Sequence, residues 1–171
     1  MPHPHDDLFS AHHARVYRWA CAMGATHEQA LDTVQDVFLR RLSASTPHPR
    51  DAAVIPWLRK AAASSLVDRW RSDQSRTRRE HTRRESAPRE PLDPSESAAQ
   101  AEAATHVRAA VRTLSDMQRL VLTAKTCDGL TFREIAAELD IAEPTAKTHY
   151  LRALHHMHER LAALGLSGSA P

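Results

Sequence analysis

Residues 131–161 read TFREIAAELDIAEPTAKTHYLRALHHMHERL and have the proportions of two helices joined by a tight turn. The first helix, TFREIAAEL, opens on Thr131 with a glutamate three positions later, which is the pattern of a capping box. The turn is about four residues long. Pro144 then suits the first turn of the second helix, because a proline there removes an N–H group that has no intrahelical partner.

Small and apolar side chains in this stretch allow the two helices to pack closely. Ala136 and Ala137 lie where the second helix must approach, and Ile141 can fill the angle between the helices. Asp140 stands in the turn, and aspartate tolerates a left-handed backbone better than most residues. Ala142 offers the second helix no side-chain cap, which costs about 1 kcal/mol of helix initiation. The stretch therefore predicts a helix-turn-helix.

The second helix of this pair is amphipathic, and polar side chains lie on or beside its outer face. Such a helix can lie in the major groove of DNA, where some side chains read base edges and others hold phosphates. The candidate DNA contacts are Thr145, Lys147, Thr148, His149 and Arg152. Helix-turn-helix patterns are degenerate, so an ordinary helical hairpin with a solvated polar face is the alternative.

The rest of the chain also favours helices. Its 171 residues include only four glycines, and 42% are hydrophobic whereas 5% are aromatic. Alanine, leucine and arginine dominate, so the predicted fold class is all-α. Helical patterns extend over 7–23, 26–42 and from Pro56 to about Trp70, and the segment 43–51 between them is predicted to be a loop.

Charge is segregated along the chain, although its net value is only +2. Residues 69–84 hold seven arginines, whereas residues 85–102 hold five acids and one arginine. Periodicity fails over 74–101, and a proline-rich polar segment of this kind is typical of a flexible linker. The predicted organisation is a first module at 1–73, a linker at 74–101, a second module at 102–164 and a disordered tail at 165–171.

The sequence argues against several classes of site. Cys21 and Cys127 stand far apart without a CxxC partner, which disfavours a disulfide or zinc framework. His155, His156 and His158 have a poor spacing for one metal ion. No paired-carboxylate or HExxH-type motif indicates an enzyme, and no apolar signal or membrane-spanning segment is present. We expect no catalytic residue, no metal, no cofactor, no direct membrane insertion and a cytoplasmic location.

Three segments of the chain follow one another in the order that is characteristic of a known protein family. They are LDTVQDVFLRRL at 31–42, WLRKAAASSLVDRWR at 57–71, and residues 114–161, which include the helix-turn-helix. Together they resemble the extracytoplasmic-function (ECF) subfamily of the sigma-70 family of RNA polymerase sigma factors. The first two resemble parts of region 2 and the third resembles region 4. The resemblance implies an alternative sigma factor that binds core RNA polymerase and directs promoter-specific transcription initiation.

The resemblance also implies partners and contact residues. The first module would bind the polymerase clamp through the acidic face of its second helix, formed by Asp32, Gln35 and Asp36. Cationic contacts to the −10 element would come from Arg59, Lys60, Arg69 and Arg71. The second module would read the −35 element with the residues of its recognition helix, and the partners are the clamp and flap regions of core polymerase and promoter DNA. An anti-sigma factor is a further candidate partner.

Some positions depart from the family pattern or remain open. Ser64 stands where family members often have asparagine, which leaves the detailed −10 contacts open, and Asp140 stands where glycine is common. Trp57 and Trp70 could stack on bases, but their helical spacing favours a place in the core. The loop 43–55 corresponds to the loop in which related sigma factors bind a base flipped out of the −10 element. The rival functions are a stand-alone helix-turn-helix regulator and a nucleic-acid enzyme.

Overall fold

A computed structural model describes residues 4–43, 51–80 and 98–165 of the chain. Within these ranges every regular element is an α-helix, which confirms the all-α prediction. The elements are α1 (Pro4–Ala22), α2 (His27–Ser43), α3 (Asp51–Glu80), α4 (Ala98–Arg112), α5 (Asp116–Cys127), α6 (Phe132–Leu139) and α7 (Glu143–Ala162). We refer to α1–α3 as the first module and to α4–α7 as the second module.

Capping boxes begin three of these helices, among them the box at Thr131 that the sequence predicts. Ahead of α2, the Gln29 N–H donates to Thr26 Oγ1 and the Thr26 N–H donates to Gln29 Oε1, both at 3.2 Å. Equivalent reciprocal pairs precede α5 and α6, formed by Ser115 with Gln118 and by Thr131 with Glu134. Each box satisfies two N–H groups that a helix start would otherwise leave unpaired.

The third helix is longer than the sequence suggested. It begins at Asp51 rather than at Pro56, and the proline lies inside it. Proline near a helix start removes a single hydrogen bond, so a few residues can precede it in helical conformation. The helix also continues to Glu80, into the predicted linker, because arginine, glutamine and glutamate are good helix formers. Residues 44–50, 81–97 and 166–171, which include much of the predicted loop, linker and tail, lie outside the described residues.

The first module is a three-helix bundle around one apolar core. Trp19 of α1 and Leu58 of α3 are fully buried at its centre. The remaining core is formed by Val16, Ala20, Met23, Ala25, Ala30, Val34, Val37, Phe38, Ala62, Ala63 and Leu66. Trp57 and Trp70 pack against this core while staying half-buried. Their place agrees with the core interpretation of the two tryptophans.

The second module packs its helix-turn-helix around Ile135, which is fully buried with Ala136 and Ala146 beside it. The predicted close approach therefore occurs at Ala136, whereas Ala137 is exposed. Ile141 packs against the same cluster, as its position in the turn predicted. A second cluster joins α4, α5 and α7 through Val111, Leu114, Leu122 and Ala153.

The turn of the helix-turn-helix has the backbone that the sequence predicted. Asp140 adopts φ 55° and ψ 51°, which is the left-handed conformation. The Ile141 N–H donates to the Ala136 carbonyl oxygen at 3.0 Å and closes the end of α6. Ala142 precedes α7 without a side-chain hydrogen bond, and Pro144 lies in the first turn of that helix.

The two modules pack against each other, a feature the sequence did not predict. Helices α1 and α3 contact α5, and α1 also contacts α4. Leu120 of α5 packs against the apolar clusters of both modules. In the part of the chain that the structure describes, no helix is long and apolar enough to cross a membrane.

Candidate nucleic-acid and polymerase interfaces

The outer face of α7 presents the predicted −35 contacts. Thr145, Thr148 and Arg152 follow a three- and four-residue spacing, which places them on one side of the helix. All three are exposed, as is Lys147 beside them, while His149 is half-buried. The other side of α7 is anchored by the fully buried Ala146 and Ala153. The recognition face is therefore held rigidly and open to solvent.

Contacts between α6 and α7 fix the angle of that face. The rings of Phe132 and Tyr150 pack edge to face, with 5.5 Å between their centroids. Within α7, the Thr148 hydroxyl donates to the Pro144 carbonyl oxygen at 2.8 Å. Its oxygen can therefore accept a hydrogen bond from a bound molecule. Aromatic packing of this kind adds to the stability of a helix pair beyond the burial of area.

One cationic residue near α7 was not among the DNA contacts predicted from the sequence. Arg133, the second residue of α6, has 90% of its side chain exposed. Its guanidinium lies 3.9 Å from the Glu143 carboxylate at the start of α7, and an exposed pair at this separation is weak. Arg133 is thus free to hold a phosphate beside the recognition face. Its position near the start of the first helix of the pair was the available signal.

The acidic face of α2 is partly neutralised by α3. Arg69 donates from Nη1 to Asp32 Oδ2 at 2.8 Å and from Nη2 to Asp36 Oδ2 at 3.0 Å. Ser65 Oγ also donates to Asp36 Oδ2, at 2.9 Å. Gln35 remains exposed between these carboxylates. Arg69, predicted to contact the −10 element, therefore lies against two residues predicted to contact polymerase.

Leucines surround Gln35 on the outer face of α2. Leu31, Leu39 and Leu42 are exposed by 46%, 59% and 54%. Exposed apolar side chains grouped on one helix face indicate an interaction surface. We call Leu31, Gln35, Leu39 and Leu42 the α2 stripe.

The four predicted −10 contacts do not share one environment. Arg59 is 1% exposed and its guanidinium lies at the interface with the second module. Lys60 is exposed as a residue, yet its Nζ donates to the Glu138 carbonyl oxygen at 3.0 Å. Arg69 is half-buried against α2, and Arg71 is exposed.

An ion-pair network joins the modules around Arg59. Its Nη2 lies 2.7 Å from Asp128 Oδ2, and its Nη1 donates to Glu138 Oε1. Trp19 Nε1 donates to Asp128 Oδ2 at 2.7 Å, and the Arg59 guanidinium lies 5.0 Å from the Trp19 ring centroid. Arg15 Nε lies 3.5 Å from Asp128 Oδ1. We call these five residues the inter-module network.

A second contact joins the modules near the end of α1. Arg112 donates from Nε to the Gly24 carbonyl oxygen at 2.6 Å and from Nη2 to Gln29 Oε1 at 2.9 Å. Gly24 has φ +96°, and a Cβ there would lie 2.9 Å from the Arg108 carbonyl oxygen. Glycine is therefore required both by the backbone and by the close approach of α4.

The indole ring of Trp70, in α3, faces the second module. The guanidinium groups of Arg112 and Arg119 lie 5.6 and 4.8 Å from its centroid. Cations at this distance from an indole are attracted by its negative face. The interface therefore combines ion pairs, hydrogen bonds and cation–π contacts.

Comparison with known proteins identifies the family. The family model for "Sigma-70 region 2" matches residues 8–77, and the model for "Sigma-70, region 4" matches residues 106–157. The ECF RNA polymerase sigma factor SigM from two strains of Mycobacterium tuberculosis is 31% identical over 149 residues, which cover 86% of this chain and 72% of the relative. The chain belongs to the ECF sigma factors.

An ECF sigma factor binds core RNA polymerase and promoter DNA and directs transcription initiation, which confirms the sigma-factor prediction. Sigma factors are initiation factors rather than enzymes. The fold resembles that of the sigma factor RpoE in a co-crystal structure with the anti-sigma factor NepR from Bartonella quintana, with a TM-score of 0.53. That likeness has 19% sequence identity and covers 88% of this chain and 91% of the other.

Proposed function

We propose that this ECF sigma factor recognises its promoter through two surfaces, one on each module, and docks on polymerase through a third. The observation that carries the proposal is the exposed face of α7, where Thr145, Thr148 and Arg152 stand on a helix anchored by buried alanines. A rigid helix with polar side chains near its N-terminus fits the major groove of DNA.

The α7 face is proposed to read the −35 element. Thr145, Thr148 and His149 lie in the first two turns of the helix, where side chains reach base edges. Lys147, Arg152 and Arg133 supply cations for phosphates, which fix the position of the helix without specifying sequence. Release of counterions by these contacts would make DNA affinity fall steeply with salt.

The α2 stripe, with Asp32 and Asp36 at its side, is proposed to bind the polymerase clamp. Its exposed leucines would be buried by a partner, and burial of apolar surface supplies most of the free energy of such an association. The two carboxylates retain partial exposure beside Arg69. They would help to orient a basic partner rather than provide most of the affinity.

The region around α3 is proposed to contact the −10 element, through Arg59, Lys60, Arg69 and Arg71. Arg71 is exposed and able to meet a phosphate, whereas Arg59 is covered by the second module. The proposal therefore requires that the two modules separate before Arg59 reaches DNA.

The proposal also covers the chemistry, the location in the cell and the regulation of the chain. The chain would perform no chemistry of its own, because nucleotide polymerisation belongs to the core enzyme that it directs. It would act in the cytoplasm, where that polymerase transcribes the chromosome. An anti-sigma factor is a candidate regulator, and the predicted modules at 1–73 and 102–164, joined by the linker at 74–101, are proposed to serve the −10 and −35 elements respectively.

In vitro transcription tests the proposed function directly. Purified chain is mixed with core RNA polymerase and a library of randomised promoter fragments, and transcript starts are mapped by sequencing. We expect starts that depend on the chain and share motifs near −10 and −35. The absence of chain-dependent transcripts, together with tight binding to a palindromic duplex without polymerase, would instead favour a stand-alone regulator.

A further inference from the structure

Arg41 is a buried arginine with an unpaired edge. It lies in the last turn of α2, and only 4% of the residue is exposed. Its Nε and Nη2 atoms, which together form one edge of the guanidinium, have no hydrogen-bond acceptor among the residues that the structure describes. Burying a charged donor without an acceptor is unfavourable, so this edge calls for a partner.

The environment of Arg41 differs from that of the other buried arginines. Arg59 and Arg119, which are also buried in the described part of the chain, each donate to a carboxylate. The guanidinium of Arg41 lies against an aromatic ring, with 5.9 Å between its Cζ and the Trp57 ring centroid. The face of an indole attracts a cation but offers no acceptor to the N–H groups along the guanidinium edge.

The sequence around Arg41 is cationic. Residues 37–50 contain three arginines and neither aspartate nor glutamate. Asp36, which precedes this segment, already pairs with Arg69, and Asp51 is the first acid after it. Because positive charge is in excess at this end of α2, it attracts an anion from outside the chain.

The place of Arg41 in the fold points to promoter DNA as the source of that anion. Trp57, against which its guanidinium lies, precedes Arg59 by two positions and Lys60 by three in α3. Both are proposed contacts to the −10 element, so Arg41 lies beside the part of the first module that would meet it. A guanidinium edge pairs well with two oxygens of one phosphate, and DNA carries a phosphate at every nucleotide.

We propose that Arg41 is an additional contact to the −10 element, in which Nε and Nη2 donate to two oxygens of one backbone phosphate. The inference rests on the proposed function, because that function places the −10 element at the first module. Rotation about the bonds of the flexible arginine side chain carries the edge from beside Trp57 to the phosphate. The unpaired edge destabilises the free chain, and the phosphate relieves this cost when DNA binds.

The stability of the free chain separates a phosphate contact from a structural role. Arg41→Met keeps much of the side-chain length but removes the charge, so the urea midpoint should stay unchanged or rise. An arginine with an acceptor inside the fold would give a lower midpoint, because its partner would lose a hydrogen bond. The matched control is Arg40→Met, since Arg40 is the neighbouring arginine and its ion pair with Asp68 is exposed.

Promoter binding is measured on the complex of full-length chain with core polymerase, which is purified before titration so that a change in core binding does not enter the affinity. The probe is a fluorescein-labelled promoter from the transcription library. Arg41→Met should weaken binding at least about tenfold, because charge-assisted hydrogen bonds are lost. The slope of log affinity against log salt should fall by about one. Arg40→Met should bind like wild type.

Neutral phosphates identify the group that Arg41 meets. Each promoter in a set carries one methylphosphonate in place of a −10 phosphate, which removes one negative charge without changing a base. At one position the substitution should weaken wild-type binding about as much as Arg41→Met does. The variant should lose no further affinity on that same promoter, because the two changes remove one interaction. Single base changes in the −10 motif should weaken wild type and variant by equal factors.

Three results overturn the inference. A lower urea midpoint for Arg41→Met than for Arg40→Met would show that Arg41 stabilises the free chain, and an equal loss in Asp51→Asn would identify its partner. A promoter affinity loss that disappears on changing one −10 base would show that Arg41 reads that base. Additive losses from Arg41→Met and every methylphosphonate would show that Arg41 contacts no −10 phosphate.

Failure of the proposed function gives a different pattern. If no −10 methylphosphonate weakens wild-type binding and transcript starts share no −10 motif, the first module does not meet that element and both proposals are wrong. If a −10 methylphosphonate weakens wild type and Arg41→Met equally, the module still binds the −10 element and only the Arg41 contact is wrong.

Discussion

Arg59 and Asp128 stand 69 positions apart in the chain, yet Nη2 of the arginine lies 2.7 Å from Oδ2 of the aspartate. Trp19 donates to the same carboxylate oxygen at the same distance, so three helices meet at one acidic side chain. The contact joins a residue proposed to contact promoter DNA with one that immediately follows α5. In this conformation the second module covers Arg59.

The recognition face of α7 leads to a prediction on Arg152. Replacement by alanine should weaken promoter binding by the polymerase–sigma complex by about 1–3 kcal/mol if the side chain reads a base. If it holds a phosphate instead, the slope of log affinity against log salt should fall by about one. Fluorescence anisotropy on a promoter from the library measures both. Arg160→Ala, near the end of the same helix, is the control, and equal behaviour of the two variants would contradict the assignment.

The α2 stripe leads to a prediction on polymerase binding. Gln35→Ala combined with Leu39→Ala should reduce association with core polymerase by more than about fivefold, because central side chains of an interface cost over 1 kcal/mol when truncated. Quantitative co-purification with core enzyme measures the loss.

Asp36 is left intact in that variant because it also pairs with Arg69 and Ser65 within the first module. Arg40→Ala is the matched control, since Arg40 lies on another side of α2 and its ion pair with Asp68 is exposed. Undiminished co-purification of the double variant would exclude the stripe as the docking surface.

The left-handed turn leads to a prediction on stability. Asp140→Val should lower the free energy of unfolding of the second module by about 1–2 kcal/mol, because a β-branched residue is strongly disfavoured at φ 55°. Asp140→Asn should stay close to wild type, because asparagine also tolerates this conformation. Urea unfolding followed by circular dichroism measures the difference. Equal stability of the two variants would show that the turn relaxes to another backbone conformation.

The capping box of α6 leads to a prediction on pH. Hydrogen bonds from the Thr131 backbone N–H, and then from its hydroxyl, lower the pKa of Glu134. A lowered folded-state pKa means that the ionised carboxylate stabilises the fold at neutral pH. This stabilisation is lost as the pH falls below the ordinary glutamate range, through the folded-state pKa.

Glu134→Gln keeps an acceptor for the Thr131 N–H but does not titrate. Its urea midpoint should therefore change less than that of wild type between neutral pH and pH values below the ordinary glutamate pKa. Glu159→Gln corrects for the loss of one carboxyl elsewhere on the second module. Parallel pH profiles for wild type and Glu134→Gln would refute the contribution of this cap.

Much of the local structure was predictable because it depends on neighbours within a few positions. Thr131 and Glu134 lie one helical turn apart, so their hydrogen bonds follow from the sequence once a helix begins there. The start of α3 was predicted less well, since a proline marks only the region of a helix start and not its first residue. The exposure of Leu31, Leu39 and Leu42 could not be predicted from the sequence, because helical spacing does not tell which of two apolar faces meets the core.

The sequence by itself determined the all-α class, the helix-turn-helix with its left-handed Asp140, and the ordered segments typical of an ECF sigma factor. Each of these rests on hydrogen bonds and side-chain spacing over short stretches of chain. Only the tertiary structure decided that Arg59 is buried against Asp128 and Glu138. Its burial depends on the packing of two modules whose contacting residues lie 69 and 79 positions apart, a distance over which residue spacing carries no information.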